Sequence, residues 1–315
     1  MSEFDLIERI RARAARRDDV VLGIGDDAAI VRVPAGRELL VATDTLNRGV
    51  HFPENTLPAH IGWKALAVNL SDLAAMGGTP AWCTLSLSLP QADMAWLDSF
   101  LDGFVELARL HEVALIGGDT TRGPLSVSLT LVGHAAPDQA LLRSGAEIGD
   151  EIWVSGTLGD AAGALAQWRS GAQVAAPLRL RLDRPTPRVD LGQTLVGVAT
   201  SAIDISDGLM ADLGHICRAS RVGARIDVSA LPLSNALRDR FDVAWRHSLQ
   251  ATGGDDYELC FTAPHSARSQ LASVAEACAV PLTMIGTIVE GTSVRAHMGD
   301  GSPWMPTTTG YVHFT

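Results

Sequence analysis

The sequence predicts a mixed α/β (α+β) protein built from two domains, and three observations support this prediction. The chain has 315 residues, which is long for a single hydrophobic core. Short apolar runs typical of strands are interspersed with longer segments of helical period. Pro137, Gly145 and Gly149 mark loops near the middle of the chain. We therefore expect an N-terminal domain at residues 1–137 and a C-terminal domain at residues 138–315, each with a mixed sheet and helices.

The elements of the N-terminal half follow from two periodicities. An apolar stripe at Phe4, Ile7 and Ile10 predicts a short helix over residues 3–17, and alternation predicts a strand over 81–89. The other expected elements are a strand, turn and strand over 20–33, a strand over 38–45, helices over 60–76 and 92–111, and strands over 113–118 and 125–133.

The C-terminal half shows the same mixture of periods. Gly159 opens a helix, and Pro185 and Pro187 precede a helical segment at 188–199. A turn after Asp204 leads into a helix that runs to about Ser220. The other expected elements are strands over 151–156, 201–204, 224–228, 282–289 and 292–297, a turn into a strand over 253–262, and a helix over 265–279.

The helix over residues 60–76 has apolar residues all round it, which is typical of a buried helix. Gly77 supplies a left-handed stop after it. Asn69 and Asp72 are three residues apart and therefore lie on one face. A carboxylate in such a helix is unfavourable unless a cation or several donors compensate its charge. The alternative is that Asp72 only caps a neighbouring loop.

One local pattern occurs five times: an apolar run ends in Gly, Thr or Ser and is followed by aspartate, as in GIGDD, VATD, LIGGD, IDISD and TGGDD. Carboxylates at the ends of several strands are expected to converge on one edge of a sheet. Each single aspartate is also a common turn residue. Carboxylates without Cys or His at ligand spacing favour hard cations such as Mg²⁺ over zinc.

Glycines beside these acids (Gly117, Gly118, Gly253 and Gly254) would let backbone N–H groups approach phosphate oxygens, and Arg122 and Arg143 are candidates to hold phosphates. The combination points to phosphoryl transfer. A dinucleotide fingerprint is only imitated near Gly23, because aspartates occupy the turn and a strand follows where a helix is required. A P-loop motif is absent from the sequence.

The net charge of −11 argues against nucleic acid and against an anionic membrane as partners. No apolar run reaches the length of a membrane span, and the N-terminus does not resemble a secretory signal. The cysteines form no Cys-x-x-Cys pair and are expected to be small buried apolar residues in a cytoplasmic protein. They are Cys83, Cys217, Cys260 and Cys278.

Seven segments together resemble the thiamine-monophosphate kinase family: GIGDDAA, ATDT with His51 following, KALAVNLSDLAAMG, LIGGDTTRG, LLRSGA, AIDISDGLMADLGHI and GGDDYELCFT. They span residues 23–262 in the order of the family, which belongs to the superfamily of aminoimidazole ribonucleotide synthetase. The resemblance implies two α/β domains and a homodimer whose N-terminal sheets join into a barrel. It also implies direct phosphoryl transfer from ATP to thiamine monophosphate with several Mg²⁺ ions, and no covalent nucleophile or general base.

The resemblance also implies roles for individual residues. The implied metal ligands are Asp27, Thr43, Asp44, Asp72, Asp119, Asp204 and Asp207. The implied ATP-binding residues are Gly118, Asp119, Arg143 and Ser206, and the implied substrate-binding residues are His51 and Asp255.

The chain departs from the family pattern at two places. Asp255 stands where the family often has glutamate, and the aromatic residue expected just before Gly310 is absent. Trp304 and Tyr311 are the candidates to replace that aromatic. Two alternatives remain open: another ATP-dependent enzyme of the same superfamily, or a catalytically idle nucleotide-binding protein.

Overall fold

The computed structural model describes residues 3–306 and Gly310, and it confirms the mixed α/β class. The chain divides into two compact units. The N-terminal unit comprises the residues up to Leu73 together with Gly78–Asp138, and the C-terminal unit comprises Ala74–Gly77 and the residues from Gln139 onward. No helix in the described part of the chain is long and apolar enough to cross a bilayer.

The N-terminal unit contains three helices and six strands within its described residues. In chain order they are α1 (Glu3–Arg13), β1 (Val20–Leu22), β2 (Ile30–Val31), β3 (Glu38–Asn47), α2 (Pro58–Ala75), β4 (Thr79–Leu89), α3 (Met94–Leu110), β5 (Ala114–Arg122) and β6 (Ser126–Ala135). The main sheet has the strand order β3–β6–β4–β5, in which only the β4–β5 pair is parallel. β1 and β2 form a separate antiparallel pair.

The predicted burial of the central helix α2 is confirmed. Leu66, Leu70 and Asn69 have no exposed surface, and Gly77 follows the helix with a φ of 67°. α2 crosses α3 at glycines, since a Cβ on Gly103 would lie 1.8 Å from the carbonyl oxygen of Ala59. This close crossing needs residues without side chains, so it fixes α2 firmly against α3.

The C-terminal unit contains the other helices and strands. They are β7 (Glu151–Ser155), α4 (Asp160–Arg169), α5 (Ala176–Asp183), α6 (Val189–Leu195), β8 (Ser201–Asp204), α7 (Leu209–Ser220), β9 (Gly223–Asp227), α8 (Asn235–Arg238), α9 (Val243–Thr252), β10 (Leu259–Ala263), α10 (Arg268–Cys278), β11 (Leu282–Val289), β12 (Val294–His297) and β13 (Pro303–Trp304). The sheet has seven strands in the order β13–β12–β9–β11–β7–β10–β8, with only β12 and β9 parallel.

Several element predictions are wrong in detail. α5, α8 and α9 are absent from the sequence prediction, and the segment predicted as a helix over 188–199 is helical only over Val189–Leu195. α5 has eight residues in which leucines and arginines nearly alternate, so it shows no helical apolar stripe. α1 ends at Arg13 rather than at residue 17. Among the cysteines, Cys278 is only half-buried, whereas the other three are buried as predicted.

A buried ion-pair network holds the C-terminal unit together. Glu258 has no exposed surface and receives hydrogen bonds from Arg188, at 2.5 and 2.6 Å, and from Arg181, at 2.8 Å. Ser155 on β7 donates to the same carboxylate at 2.6 Å and accepts the backbone N–H of Leu259. The network therefore joins β7 to the start of β10 and to the segment before α6.

Replacing Glu258 with glutamine should destabilise the protein by about 2–4 kcal/mol, because two half-buried guanidinium groups would lose their counter-charge. The measurement is the free energy of unfolding from urea denaturation. The matched control is Glu276→Gln on α10, where the carboxylate is exposed and the expected change is within about 0.5 kcal/mol. Equal stability of the two variants would contradict the structural role of the network.

Candidate functional site

The N-terminal unit brings two carboxyl groups into direct contact. Asp44, on β3, shares a side-chain hydrogen bond with Asp72 of α2. Asp44 lies opposite Leu129 of β6, which in turn lies opposite Leu85 of β4, so it belongs to the buried face of the sheet. Burial raises the pKa of Asp44 above its ordinary value, and the hydrogen bond from Asp72 partly offsets this rise. Two adjacent carboxyl groups in such a place favour a shared proton or a bound cation.

The expectation that the aspartates lie at strand ends along one sheet edge is wrong for Asp44 and Asp119. Both lie inside strands, on β3 and β5, which form opposite edges of the same sheet. Asp119 lies opposite Ser86 and is one row away from Asp44, so it projects from the other face. The sequence pattern could not show this, because a strand that continues past an aspartate has no terminating signal.

The other residues that were predicted for the site in this unit have separate surroundings. Thr43 donates to the carbonyl oxygen of Leu129 at 3.0 Å and shares a hydrogen bond with the hydroxyl of Thr130 at 2.8 Å. Asp27 is exposed in the loop between β1 and β2, where its N–H donates to the carboxylate of Asp26 at 2.8 Å. Gly118 has a φ of 152°, and a Cβ there would meet the carbonyl oxygen of Leu85 at 1.9 Å.

His51 is held in a defined orientation by the turn that follows β3. Its Nδ1 accepts the backbone N–H of Asn47 at 2.9 Å, so the neutral ring carries its proton on Nε2. The backbone carbonyl of His51 accepts from Nζ of Lys64 at 3.1 Å. Lys64 is the only lysine of the chain and is 2 % exposed on α2. The central helix therefore supports the histidine loop with a buried ammonium group.

Asn69 lies three residues before Asp72 on α2 and is fully buried. Its Nδ2 donates to the carbonyl oxygen of Ala65 at 3.1 Å, whereas its Oδ1 has no hydrogen-bond partner. A buried acceptor without a donor is rare in proteins and often belongs to a site that binds a ligand or water. This amide oxygen is thus a buried polar group about one helical turn before Asp72 that sequence reasoning did not place in the site.

In the C-terminal unit, β8 ends in a turn that carries three predicted residues. Asp204 is buried at the end of β8, and Ser206 and Asp207 follow as half-buried residues before α7. The carboxylate of Asp212, in the first turn of α7, accepts the backbone N–H groups of Ser206 and Asp207 at 3.1 Å each. Burial and the nearby charges of Asp204 and Asp207 raise the pKa of Asp212 to about 7.

Asp255 lies beside this turn and has an unusual backbone conformation. Its φ is 68°, its N–H donates to the carbonyl oxygen of Ser206 at 2.8 Å, and its carboxylate accepts from the hydroxyl of Tyr257 at 3.3 Å. Left-handed backbone at a residue with a side chain is uncommon and typical of functional sites. A Cβ on Gly310 would lie 2.9 Å from the carbonyl oxygen of Asp207, so this late residue also reaches the turn.

Trp304 is the first candidate to replace the missing aromatic. It belongs to β13, at the opposite edge of the seven-stranded sheet from β8, and it packs against the core of the unit. The second candidate, Tyr311, lies outside the described residues, as do Thr307–Thr309.

Arg143 is exposed, and its backbone carbonyl accepts from the hydroxyl of Ser220 at 3.1 Å. Partial burial, with the charges of Arg218 and Arg143, lowers the pKa of His215, while Asp207 raises it. His215 on α7 therefore lies near both Arg143 and Asp207. Sequence reasoning missed His215 and Asp212, although their spacing of three residues on a helix places them on neighbouring positions of one face.

Among the described residues, no group of three or more His, Cys, Asp or Glu side chains is arranged to hold a metal ion. Two acidic sets include the predicted residues: the Asp44–Asp72 pair in one unit and the Asp204–Asp207–Asp212 turn in the other. Neither set has a nucleophile with an adjacent base, so the geometry favours charge neutralisation over covalent catalysis.

Comparison with known families and proteins gives a consistent result. The sequence matches the AIR synthase related protein N-terminal domain over residues 25–135 and the corresponding C-terminal domain over residues 147–299. It is 47% identical to the thiamine-monophosphate kinase of Escherichia coli, over 99% of this chain and 98% of that protein.

Comparison with solved structures gives the same family. The thiamine-monophosphate kinase of Stenotrophomonas maltophilia superposes with a TM-score of 0.90 at 55% identity, covering 96% of this chain and 98% of that one. AaThiL complexed with AMPPCP and TMP superposes with a TM-score of 0.78 at 33% identity, covering 99% and 97%. The hydrogenase maturation protein HypE, at 21% identity and a TM-score of 0.79, shares the fold.

Replacing Lys64 with methionine should loosen the His51 turn, because the carbonyl oxygen of His51 loses a buried donor. We expect faster amide hydrogen exchange in residues 47–53 and a loss of about 1–3 kcal/mol in the free energy of unfolding. Leu66→Met, on the same buried helix, is the matched control and should leave the turn unchanged. Unchanged exchange in both variants would show that Lys64 does not support the turn.

Proposed function

Because the chain belongs to the thiamine-monophosphate kinase family, we propose that it transfers the γ-phosphoryl group of ATP to thiamine monophosphate. The products are ADP and thiamine diphosphate. The observation that carries this proposal is the similarity to thiamine-monophosphate kinases along almost the entire length of both chains. The complex of AaThiL with AMPPCP and TMP supports ATP as the co-substrate.

The transfer is proposed to be direct. An oxygen of the acceptor phosphate forms a bond to the γ-phosphorus while the bond from that phosphorus to the β–γ bridging oxygen breaks, and its electron pair leaves with ADP. The acceptor phosphate is anionic near neutral pH, so no general base is required. The task of the protein is to align two anions and to offset their charge.

The residues of this chain fit a hard divalent cation such as Mg²⁺. Asp44 and Asp72 offer facing carboxyl oxygens in a half-buried place, and the partnerless Oδ1 of Asn69 adds a neutral oxygen to the same helix. Mg²⁺ prefers oxygen ligands and, when bound, would neutralise phosphate charge during the transfer. The residues proposed to hold several such ions are Asp27, Thr43, Asp44, Asp72, Asp119, Asp204 and Asp207.

For ATP we propose contacts from Gly118, Asp119, Arg143 and Ser206. Gly118 packs closely against the backbone of Leu85 on β4, where a side chain would not fit. The charge of Arg143 lies close to His215 and Asp207. For thiamine monophosphate we propose His51 and Asp255. The Nε2–H of His51 can donate to a phosphate oxygen, because Nδ1 is already engaged as an acceptor.

We also propose that the protein is a cytoplasmic homodimer. β3 and β5 each have one neighbour in the main sheet, within the described residues, and so present open edges. Leu39 and Val41 on β3 are 47% and 65% exposed, which is unusual for an edge strand and favours a second copy joining there. A monomeric mass at micromolar concentration in sedimentation equilibrium would contradict the dimer, and recovery in a non-cytoplasmic fraction would contradict the location.

The function is tested by measuring ADP release and thiamine diphosphate formation with ATP, thiamine monophosphate and Mg²⁺. We expect turnover in the wild-type protein and a decrease of about 100-fold or more in kcat/KM for Asp44→Asn, because the amide cannot neutralise a cation. The control Asp102→Asn changes an exposed carboxylate on α3 that pairs with Arg13 and should leave kcat/KM unchanged.

Two negative results have different meanings. No turnover in the wild-type protein would contradict the proposed reaction. Turnover by Asp44→Asn close to that of the wild type would contradict only the metal role of Asp44.

A further inference from the structure

Asp212 occupies the centre of the turn between β8 and α7. It is 3% exposed, and one of its carboxylate oxygens, Oδ2, accepts three consecutive backbone N–H groups, those of Ser206, Asp207 and Gly208, each at 3.1 Å. None of these donors depends on a side chain. The carboxylate therefore fixes the path of the main chain through the turn.

Three successive N–H groups that point to one place form a concave donor set, which in many proteins binds an anion such as phosphate. In this chain, the carboxylate of Asp212 already fills that set. The turn can therefore bind a ligand through its side chains, because its N–H groups already donate to Asp212. Ser206 and Asp207 are the half-buried side chains in question.

The backbone on either side of the turn leaves little freedom. Gly208 has a φ of 118°, and a Cβ there would lie 2.7 Å from the carbonyl oxygen of Thr252. A Cβ on Gly254 would lie 2.4 Å from the carbonyl oxygen of Ser206, which also accepts the N–H of Asp255. The turn is thus clamped between the end of α9 and the Asp255 segment, and Asp212 is the group that supports it from α7.

We propose that Asp212 is a positioning residue that holds Ser206 and Asp207 in the geometry required to bind the phosphates of the nucleotide and their counter-ions. The expected effect on activity rests on the proposed function. The expected effect on the backbone of the turn does not. Asp212 acts through the backbone of the turn and is not itself a ligand.

Two substitutions separate positioning from ligation. Asp212→Asn keeps one oxygen that can accept the three N–H groups while it removes the negative charge. Asp212→Ala removes both the oxygen and the charge. The matched control is Asp150→Ala, which removes another buried carboxylate that accepts a backbone N–H, from Glu147 at 3.0 Å, outside the turn.

The first readout is amide hydrogen exchange of residues 204–208, measured without nucleotide. We expect faster exchange in Asp212→Ala and exchange like that of the wild type in Asp212→Asn and in Asp150→Ala. Equal exchange in Asp212→Ala and in the wild type would overturn the proposal, whatever reaction the protein catalyses.

The second readout is kcat and KM for ATP at varied Mg²⁺ concentration. Asp212→Ala should lower activity about 10- to 100-fold, as removal of a group that orients ligands typically does, with a rise in the Mg²⁺ concentration needed for half-maximal rate. Asp212→Asn should stay close to the wild type. A loss in Asp212→Asn as large as in Asp212→Ala would show that Asp212 binds a cation directly, and would overturn the positioning role. Absence of turnover in the wild type would instead contradict the proposed function.

Discussion

The contact between Asp44 and Asp72 is the constraint around which the N-terminal unit is arranged. One carboxyl group projects from the buried face of a strand and the other from a helix that is apolar on nearly every side. Such a pair is unfavourable when both groups are ionised without a cation, and burial raises the pKa of Asp44 accordingly. The close crossing of α2 and α3 at Gly103 keeps the helix from moving away. The fold thus holds two carboxyl groups together, an arrangement that favours a shared proton or a bound divalent cation.

Two buried carboxylates of the C-terminal unit are stabilised in a different way. Glu258 is neutralised by two arginines, and Asp212 is met by three backbone N–H groups. Both accept hydrogen bonds from the protein itself, although burial and the charges of Asp204 and Asp207 still raise the pKa of Asp212. Glu258 and Asp212 thus differ from the Asp44–Asp72 pair, and also from Asp204 and Asp207 of the same unit, which are proposed to bind cations.

The sequence predicted the features that depend on local periodicity and composition. The buried α2, its glycine stop and most strands follow from apolar patterning. The motifs around Asp44 and Asp72 marked two segments whose carboxyl groups the structure brings into contact. Short helices such as α5 were not predicted, because eight residues are too few to show a clear helical period. The placement of Asp44 and Asp119 on opposite faces of the sheet was not predicted either, because the sequence of one strand does not show its pairing register with a distant strand. Asp212 was not predicted, because its hydrogen-bond donors are backbone N–H groups, which every residue except proline carries.

The most direct test of the central claim is the anomalous diffraction of crystals grown with Mn²⁺ in place of Mg²⁺ and with a non-hydrolysable ATP analogue. The account predicts an anomalous peak next to the carboxyl groups of Asp44 and Asp72, with loss of the hydrogen bond between the two side chains. Bound nucleotide with no anomalous peak at this pair, and with the two carboxyl groups still hydrogen-bonded to each other, would contradict it.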